Sequence, residues 1–367
     1  GKTMRQISYY DAQALREFVQ SYFIRYGVPT EDARIAADVL VEADLRGVDS
    51  HGVIRMYSYY GSRLANGLVD PKTPLTTLRE SPVSLALDAG AGLGQVAGYR
   101  AMQRCIEKAA ASGMSAVTVR NSNHYGIAGY YAMMALPHDM IGISLTNSQP
   151  LIAPSHSRVA LLGTNPIAVA VPARGERPYV LDMATSIVPI GRITVYQKAE
   201  KKVPAGWGID PQGRVTEDPN QILNGGALLP LGGTDEMRGY KGYGLSLLVD
   251  LLSGLLSGAA FGGHVGQSSN APANVGHFFA AMRIDLFRSA EEFKSDMDTY
   301  LREIKSAPLA AGEERILIHG EKEFEKRAIN EKNGVPLMQP VVKMLEDAAR
   351  DAAIPYTLTP IRVETME

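Results

Sequence analysis

The sequence predicts a mixed α/β fold in which a helical lobe precedes a larger, sheet-containing lobe. Three features predict it: helix-period apolar spacing from Asp11 to about Gly67, strand-helix alternation from Ser84 onward, and a return to charged helical text near the C-terminus. A chain of 367 residues exceeds what one hydrophobic core usually holds, so two interlocked lobes are expected. The expected division is 1–76 for the helical lobe, joined by C-terminal helices within 320–367, and 77–319 for the α/β lobe.

After a cap at Asp11, the residues Leu15, Phe18, Val19, Tyr22 and Phe23 line one helical face, and Gly27 and Pro29 stop the run. A second helix is expected from Thr30 to about Gly47, with Glu31 and Asp32 at its positive end, and a third from the Asp49–Gly52 turn to about Gly67. Strands are expected at Ser84–Asp88, Ala116–Val119, Ile141–Thr146, Ile167–Val171, Tyr179–Asp182 and Phe278–Ile284. Helices should fall at Gln95–Ser112, Ile187–Ala199, Leu245–Leu256, Ala290–Ile304, Glu321–Glu331 and beyond Pro340. The apolar stretch Leu245–Leu256 is shorter than the roughly 20 residues a membrane span needs and carries Asp250, so it reads as a buried helix. The Gly-, Pro- and charge-rich stretch Glu200–Gly239 reads as a long functional loop, ordered around the single tryptophan, Trp207.

Composition narrows the function. The 37 basic residues nearly balance 39 acidic ones, and aromatics are not interleaved with basic runs, so nucleic-acid or membrane binding has no support. The one cysteine, Cys105, can form neither an internal disulfide nor a cysteine-rich zinc site. Gly1–Thr3 read as a tag remnant and no signal peptide is evident, so a cytoplasmic setting is expected. The histidines lack metal spacing, and no serine sits in a G-x-S-x-G elbow; neither a catalytic metal nor an esterase triad is expected.

Gly92-Leu-Gly94-Gln-Val-Ala97 fits a relaxed dinucleotide fingerprint between an apolar run and a helix. The acid that should follow about 20 residues later is missing, since the next strand ends Val119-Arg120-Asn121. An NAD-type Rossmann site is therefore excluded, an NADP-type one using Arg120 stays open, and a tight turn before a helix is the simpler explanation.

Three polar clusters interrupt apolar text. In Asp49-Ser50-His51-Gly52-Val53-Ile54-Arg55, Ser50 suits a helix cap, and Arg55 lies one turn after His51, pairing an anion-binding fork with a proton donor. A cap with a surface ion pair explains the same spacing. Asn121–Gly126 follows a strand, where α/β sites usually form, and His124 needs little tuning to act as acid or base; a capped turn is the alternative. Thr146–Pro150, Gly163–Pro166, Leu181–Ser186 and Tyr240–Gly244 supply small hydroxyls, amides and glycines suited to phosphates, although turns and caps account for each alone.

At these clusters the chain resembles the malate/L-lactate dehydrogenase family, a non-Rossmann NAD(P)-dependent group that includes ureidoglycolate dehydrogenase, sulfolactate dehydrogenase and diketogulonate reductase. The matching text is Asp44–Gly52, Asn123–Gly126, Gly163–Pro166, Leu181–Thr185 and Lys241–Leu245, in one order along the chain. The resemblance implies a non-Rossmann dehydrogenase fold and a homodimer whose partner subunit completes the site. It also implies NAD or NADP, with NAD favoured, bound between the helical lobe and the sheet lobe. By position, Ser148, Asp182, Met183, Ala184, Lys241, Gly320, Glu321 and Lys322 look like cofactor contacts, Ser50 and Arg55 like substrate binders, and His51 and His124 like acid/base candidates. The implied reaction reduces a small 2-oxo acid to the 2-hydroxy acid, oxaloacetate to malate first. Lactate, sulfolactate and ureidoglycolate oxidation, or reduction of diketo acids or cyclic imino acids, are the alternatives. His124 is the preferred proton donor because a strand-end loop should face the cleft. Two departures stand out: Thr234–Arg238 is longer than in some members, and His319 precedes Gly320 where many have proline.

Overall fold

The computed structural model describes residues 5–366; the expected tag remnant lies outside them. A strand that the spacing did not announce, β1 (Arg5–Tyr10), opens the described chain. Helix α1 (Ala12–Arg25) starts where the Asp11 carboxylate accepts the Ala14 N–H at 2.9 Å, and its buried stripe is the expected Leu15, Phe18, Val19, Tyr22 and Phe23. Helix α2 (Thr30–Leu45) packs along it.

The third helix differs from expectation. Asp49–His51 form a single 3-10 turn, Gly52 is extended, Met56–Gly61 form a π-helical turn, and only α3 (Ser62–Ala65) is regular. Ser50 caps nothing; its hydroxyl bonds the neighbouring His51 ring instead. A wide turn of this kind inserts where local packing outweighs helix regularity. Here a Cβ at Gly61 would collide with Tyr22 Oη, so the backbone crosses α1 at close range.

The α/β lobe follows as β2 (Thr76–Ser81), β3 (Ser84–Asp88), α4 (Gly94–Ser112), β4 (Met114–Ser122), α5 (Ala128–Met133), β5 (Met140–Thr146), β6 (Ile167–Val171), β7 (Tyr179–Met183) and α6 (Ile190–Lys198). The stretch expected as a loop carries a small sheet built from β8 (Gly208–Ile209), β9 (Val215–Thr216) and β10 (Ala227–Leu228), with α7 (Pro219–Leu223) beside it. Trp207 orders it by packing edge-on to Tyr196 at 5.4 Å. Next come α8 (Gly239–Asp250), β11 (Val275–Arg283), α9 (Ala290–Lys305), α10 (Glu321–Asn333), β12 (Val335–Met338), α11 (Gln339–Ala352) and β13 (Arg362–Met366).

The main sheet runs β2-β3-β4-β11-β5-β6-β7, and only β3 and β4, joined by the crossover helix α4, are parallel. Every other neighbouring pair is antiparallel, which no Rossmann sheet permits. The NADP-type alternative also fails locally, because Arg120 is held by Asp88 at 3.0 Å. The two glycines serve packing: a Cβ at Gly92 would strike Thr73, and one at Gly94 would strike the carbonyls of Asn123 and His124.

The two largest apolar clusters make most of the core. One joins α1 and α2 to α11 and β12 through Phe18, Leu40, Leu345 and Val335; the other lies between the sheet, α4 and α5. Helix α4 belongs to both, since Leu93 and Val96 enter the first and Ala97 to Ala109 the second. Strands β12 and β13 flank β1 in a separate three-stranded sheet, tying the two ends of the described chain together.

The expectation that Leu245–Leu256 is buried is corrected. Leu248, Leu251 and Leu255 remain 44–50% exposed, because α8 and the π turn after it bury the side that carries Ser246, Val249, Asp250 and Ser253 and leave these leucines on the other. Among the described residues no helix is long and apolar enough to cross a membrane.

Leu345, fully buried on α11, tests the joint between the N- and C-terminal parts. Leu345→Ala is expected to cost about 2–5 kcal/mol in chemical denaturation, and a loss below about 0.5 kcal/mol would show that α11 is not integral to that core.

Candidate active site

The crevice where the helical lobe meets the sheet gathers residues from three places. The turn Asp49–Gly52 is fixed from behind by Asp44, whose carboxylate accepts the Val53 N–H at 2.8 Å, and Gly52 is obligatory because a Cβ would overlap that carboxylate. Burial pushes the Asp44 carboxyl up to about 8. The π turn then presents Arg55, Tyr59 and Tyr60, and the loop after β4 presents His124.

The imidazoles of His51 and His124 lie 5.6 Å apart, centroid to centroid, and Tyr59 closes on His124 at 5.9 Å. Each ring has its Nδ1 engaged: His51 with Ser50 Oγ at 2.8 Å, His124 with Tyr60 Oη at 2.9 Å. The Gly126 N–H makes a longer contact with the same His124 nitrogen, 3.3 Å. Nε2 of each ring is thereby the atom available for a reacting group. The Tyr60 hydroxyl can donate to a neutral His124 or accept from a charged one, so it supports either protonation state. Burial lowers the pKa of both rings, with Arg55 adding repulsion; His51 falls to about 4, and His124, facing His51 as well, lies well below the ordinary value. Arg55 donates through Nε to the Ser50 carbonyl at 2.9 Å, which turns its outer nitrogens to the crevice.

Behind this surface, His277 of β11 stacks on Tyr125 at 4.6 Å and bridges two strand-end loops, meeting Ser122 Oγ at 2.7 Å and Thr146 Oγ1 at 2.8 Å. It is fully buried, and its pKa is pushed down to about 3. That bridge links the His124 loop to the loop carrying Ser148.

The cofactor candidates form a wall further along the sheet ends. Ser148 Oγ accepts the Thr164 N–H at 3.1 Å and meets Thr164 Oγ1 at 3.2 Å. Asn165 Oδ1 and Ser186 Oγ are buried without partners among the described residues. Gly163 packs between Ser148 and Asn165, so the unfilled Asn165 oxygen lies beside Ser148. Such orphaned polar atoms fit a polar ligand with several hydrogen-bonding groups, as a dinucleotide has. Asp182 ends β7 with one oxygen accepting the Gly129 N–H at 2.8 Å and the other open; crowding by protein raises its pKa to about 6. Met183 and Ala184 continue that edge, half-buried, and Lys241 is exposed on the first turn of α8.

Gly320 adopts φ 90° against Val180. Glu321 is turned away: its carboxylate pairs with Lys305 Nζ at 2.7 Å and lines a separate recess of about 420 Å³ with Glu176 and Arg177. Lys322 is exposed beside it. Sequence reasoning missed Tyr59, Tyr60, Arg63 and His277. Tyr59 and Arg63 had a signal, because Arg55, Tyr59 and Arg63 recur every fourth residue. His277 had none, lying in an apolar strand with no motif around it.

A family model described as malate/L-lactate dehydrogenase matches residues 10–346. The chain belongs to that family. Malate dehydrogenase from Pyrococcus abyssi is 47% identical over 342 residues, covering 93% of this chain and 94% of the relative. The solved malate dehydrogenase from Pyrococcus horikoshii OT3 superposes with a TM-score of 0.88 at 43% identity, covering 95% of this chain and 97% of that one. An NAD(+) ureidoglycolate dehydrogenase from Escherichia coli K12 is 29% identical, covering 91% and 93%. Membership in the malate/L-lactate dehydrogenase family makes the chain a hydroxyacid dehydrogenase working with a nicotinamide cofactor.

Both crevice histidines should be neutral at pH 7 in the free protein. The sign follows from depressed folded-state values: protonation begins only well below the usual 6.5. Imidazole NMR signals of His51 and His124 are therefore expected to stay constant from pH 8 to 6, and a midpoint near 6.5 for either would overturn the neutral assignment.

Proposed function

We propose that the chain interconverts oxaloacetate and malate, with NAD as the favoured dinucleotide. One observation carries this reading: two neutral imidazoles with free Nε2 atoms and an arginine with free outer nitrogens meet in one crevice. Arg55 holds the carboxylate beside the ketone, and Ser50 orients His51, whose Nε2 polarises the same oxygen or steadies the carboxylate. The bound nicotinamide supplies or removes the hydride. His124 Nε2 takes the hydroxyl proton in oxidation, the neutral ring becoming imidazolium; in reduction the substrate's negative charge draws a solvent proton onto the ring, which Nε2 then gives to the oxygen, with Tyr60 accommodating both states.

Ser148, Asp182, Met183, Ala184, Lys241 and the Gly320–Lys322 turn serve the dinucleotide in this reading, Glu321 through its backbone. The free oxygen of Asp182 suits ribose hydroxyls and repels a 2′-phosphate, which favours NAD. In this reading the helical lobe comprises 1–76 joined by 320–367, and the cofactor lobe 77–319. A cytosolic setting also belongs to the reading, in keeping with a lone cysteine that is fully buried.

The molecule acts as a homodimer. Beyond the exposed α8 leucines, the sheet face away from α4 leaves Ile141, Ile143, Val169, Val171 and Phe278 only partly covered. An apolar area this continuous suits a second copy of the chain. Leu251→Glu is expected to give a monomer in size-exclusion chromatography, and an unchanged dimer would move the interface elsewhere.

The decisive experiment is a matrix of NADH and NADPH against oxaloacetate, pyruvate, sulfopyruvate and a cyclic imino acid, followed at the reduced-nicotinamide absorbance. Oxaloacetate with NADH should dominate. His124→Ala should slow turnover by about 10²–10⁴ while leaving NADH affinity near wild type; unchanged turnover in both His124→Ala and His51→Ala would remove the histidines from the reaction.

A further inference from the structure

A second arginine stands at the crevice. Arg63, on α3, lies with its guanidinium carbon 5.7 Å from the Tyr59 ring centroid, and Arg55 lies 5.9 Å from the same centroid. Tyr59 in turn lies 5.9 Å from His124. Both arginines and the preferred proton donor therefore lie within 5.9 Å of one aromatic ring.

Arg63 is poorly satisfied where it stands. Its Nε is buried without a partner among the described residues, and Nη2 reaches only the Ala271 carbonyl at 3.4 Å. No carboxylate of the described residues is ion-paired with it or with Arg55. Nearby acids do not supply the missing charge: Asp44 sits behind Gly52 with its carboxyl held neutral by burial, and the nearby charge that acts on Asp49 is that of Lys326. With both histidines neutral, the crevice holds two uncompensated positive charges. A partly buried guanidinium without a counter-ion is costly unless a ligand brings one.

We infer that Arg63 is the receptor for a second anionic group on the substrate, so that the crevice selects dianionic 2-oxo acids over monoanionic ones. This inference rests on the proposed hydride transfer and names the substrate class for it. Arg55 takes the carboxylate next to the ketone, Arg63 takes the distal carboxylate or sulfonate, and the Tyr59 ring lies against the carbon chain between them. By ordinary bond lengths the carboxyl carbons of an extended four-carbon diacid are about 4 Å apart, and a guanidinium at each end with N···O near 2.8 Å fits two arginines gathered round one ring. A monoanion such as pyruvate leaves Arg63 unpaired and gains nothing from it.

The test compares wild type, Arg63→Gln and Arg63→Lys with oxaloacetate and with pyruvate, alongside NADH affinity by fluorescence titration. Arg63→Gln should lower kcat/KM for oxaloacetate by about 10²-fold, chiefly through KM, with pyruvate changing less than about threefold and NADH affinity unchanged. Arg63→Lys should recover part of the loss, since it restores the charge but not the fork. Equal losses on both substrates, or no loss on either, would overturn the inference and leave hydride transfer standing. Wild-type reduction of pyruvate in preference to oxaloacetate would also overturn it. Reduction of no 2-oxo acid by the wild type would instead remove the underlying reading, and the inference with it.

Discussion

The molecule is organised by the close approach of one helix start to one strand end. Gly94 opens α4 directly against the carbonyls of Asn123 and His124, at a distance no side chain tolerates. Hydrogen bonds lace the same seam: Ala91 donates to the Asn121 carbonyl at 2.9 Å, and Asn123 Nδ2 donates to the Gly92 carbonyl at 2.7 Å. The next residues of α4, Val96 and Ala97, divide between the two apolar cores. The loop bearing His124 is thus clamped by a helix that contributes to both apolar cores. Whatever alters how the lobes sit together must act on the histidine as well.

Much of the fold was legible because amphipathic spacing is a local property. The stripe from Leu15 to Phe23 and the strand Ile167–Val171 were each readable from their own residues. What stayed hidden depends on distant partners. Strand β1 is six residues of mixed polarity whose two neighbours lie more than 320 positions away, so nothing near it announces pairing. The exposure of α8 was unreadable for a similar reason: a leucine-rich helix says that it wants cover, not which chain provides it.

The site divides along the same line. His51, Arg55 and His124 drew notice because polar residues interrupt apolar text, and the fold does bring them within one crevice. The Gly92–Ala97 fingerprint drew notice equally and turned out to serve packing, since glycine is required wherever backbones meet, with or without a phosphate. Spacing alone cannot separate those two uses. The antiparallel neighbours of β4 can, because they deny the parallel arrangement in which a Rossmann turn works.

Helix geometry explains why the second arginine escaped the motifs. In a regular α-helix, residues eight apart are rotated by roughly 80° about the axis, so Arg63 would drift away from Arg55. The π turn at Met56–Gly61 holds more residues per revolution, so steps of four come closer to a full turn and Arg55, Tyr59 and Arg63 stay nearer one face. That turn is wedged where Gly61 meets Tyr22, a contact belonging to the helical core. A packing constraint in the core thus sets the spacing of positive charge at the crevice, and because Tyr60 beside Gly61 holds His124 Nδ1, a substitution at Tyr22 should be felt at the arginines and at His124 together.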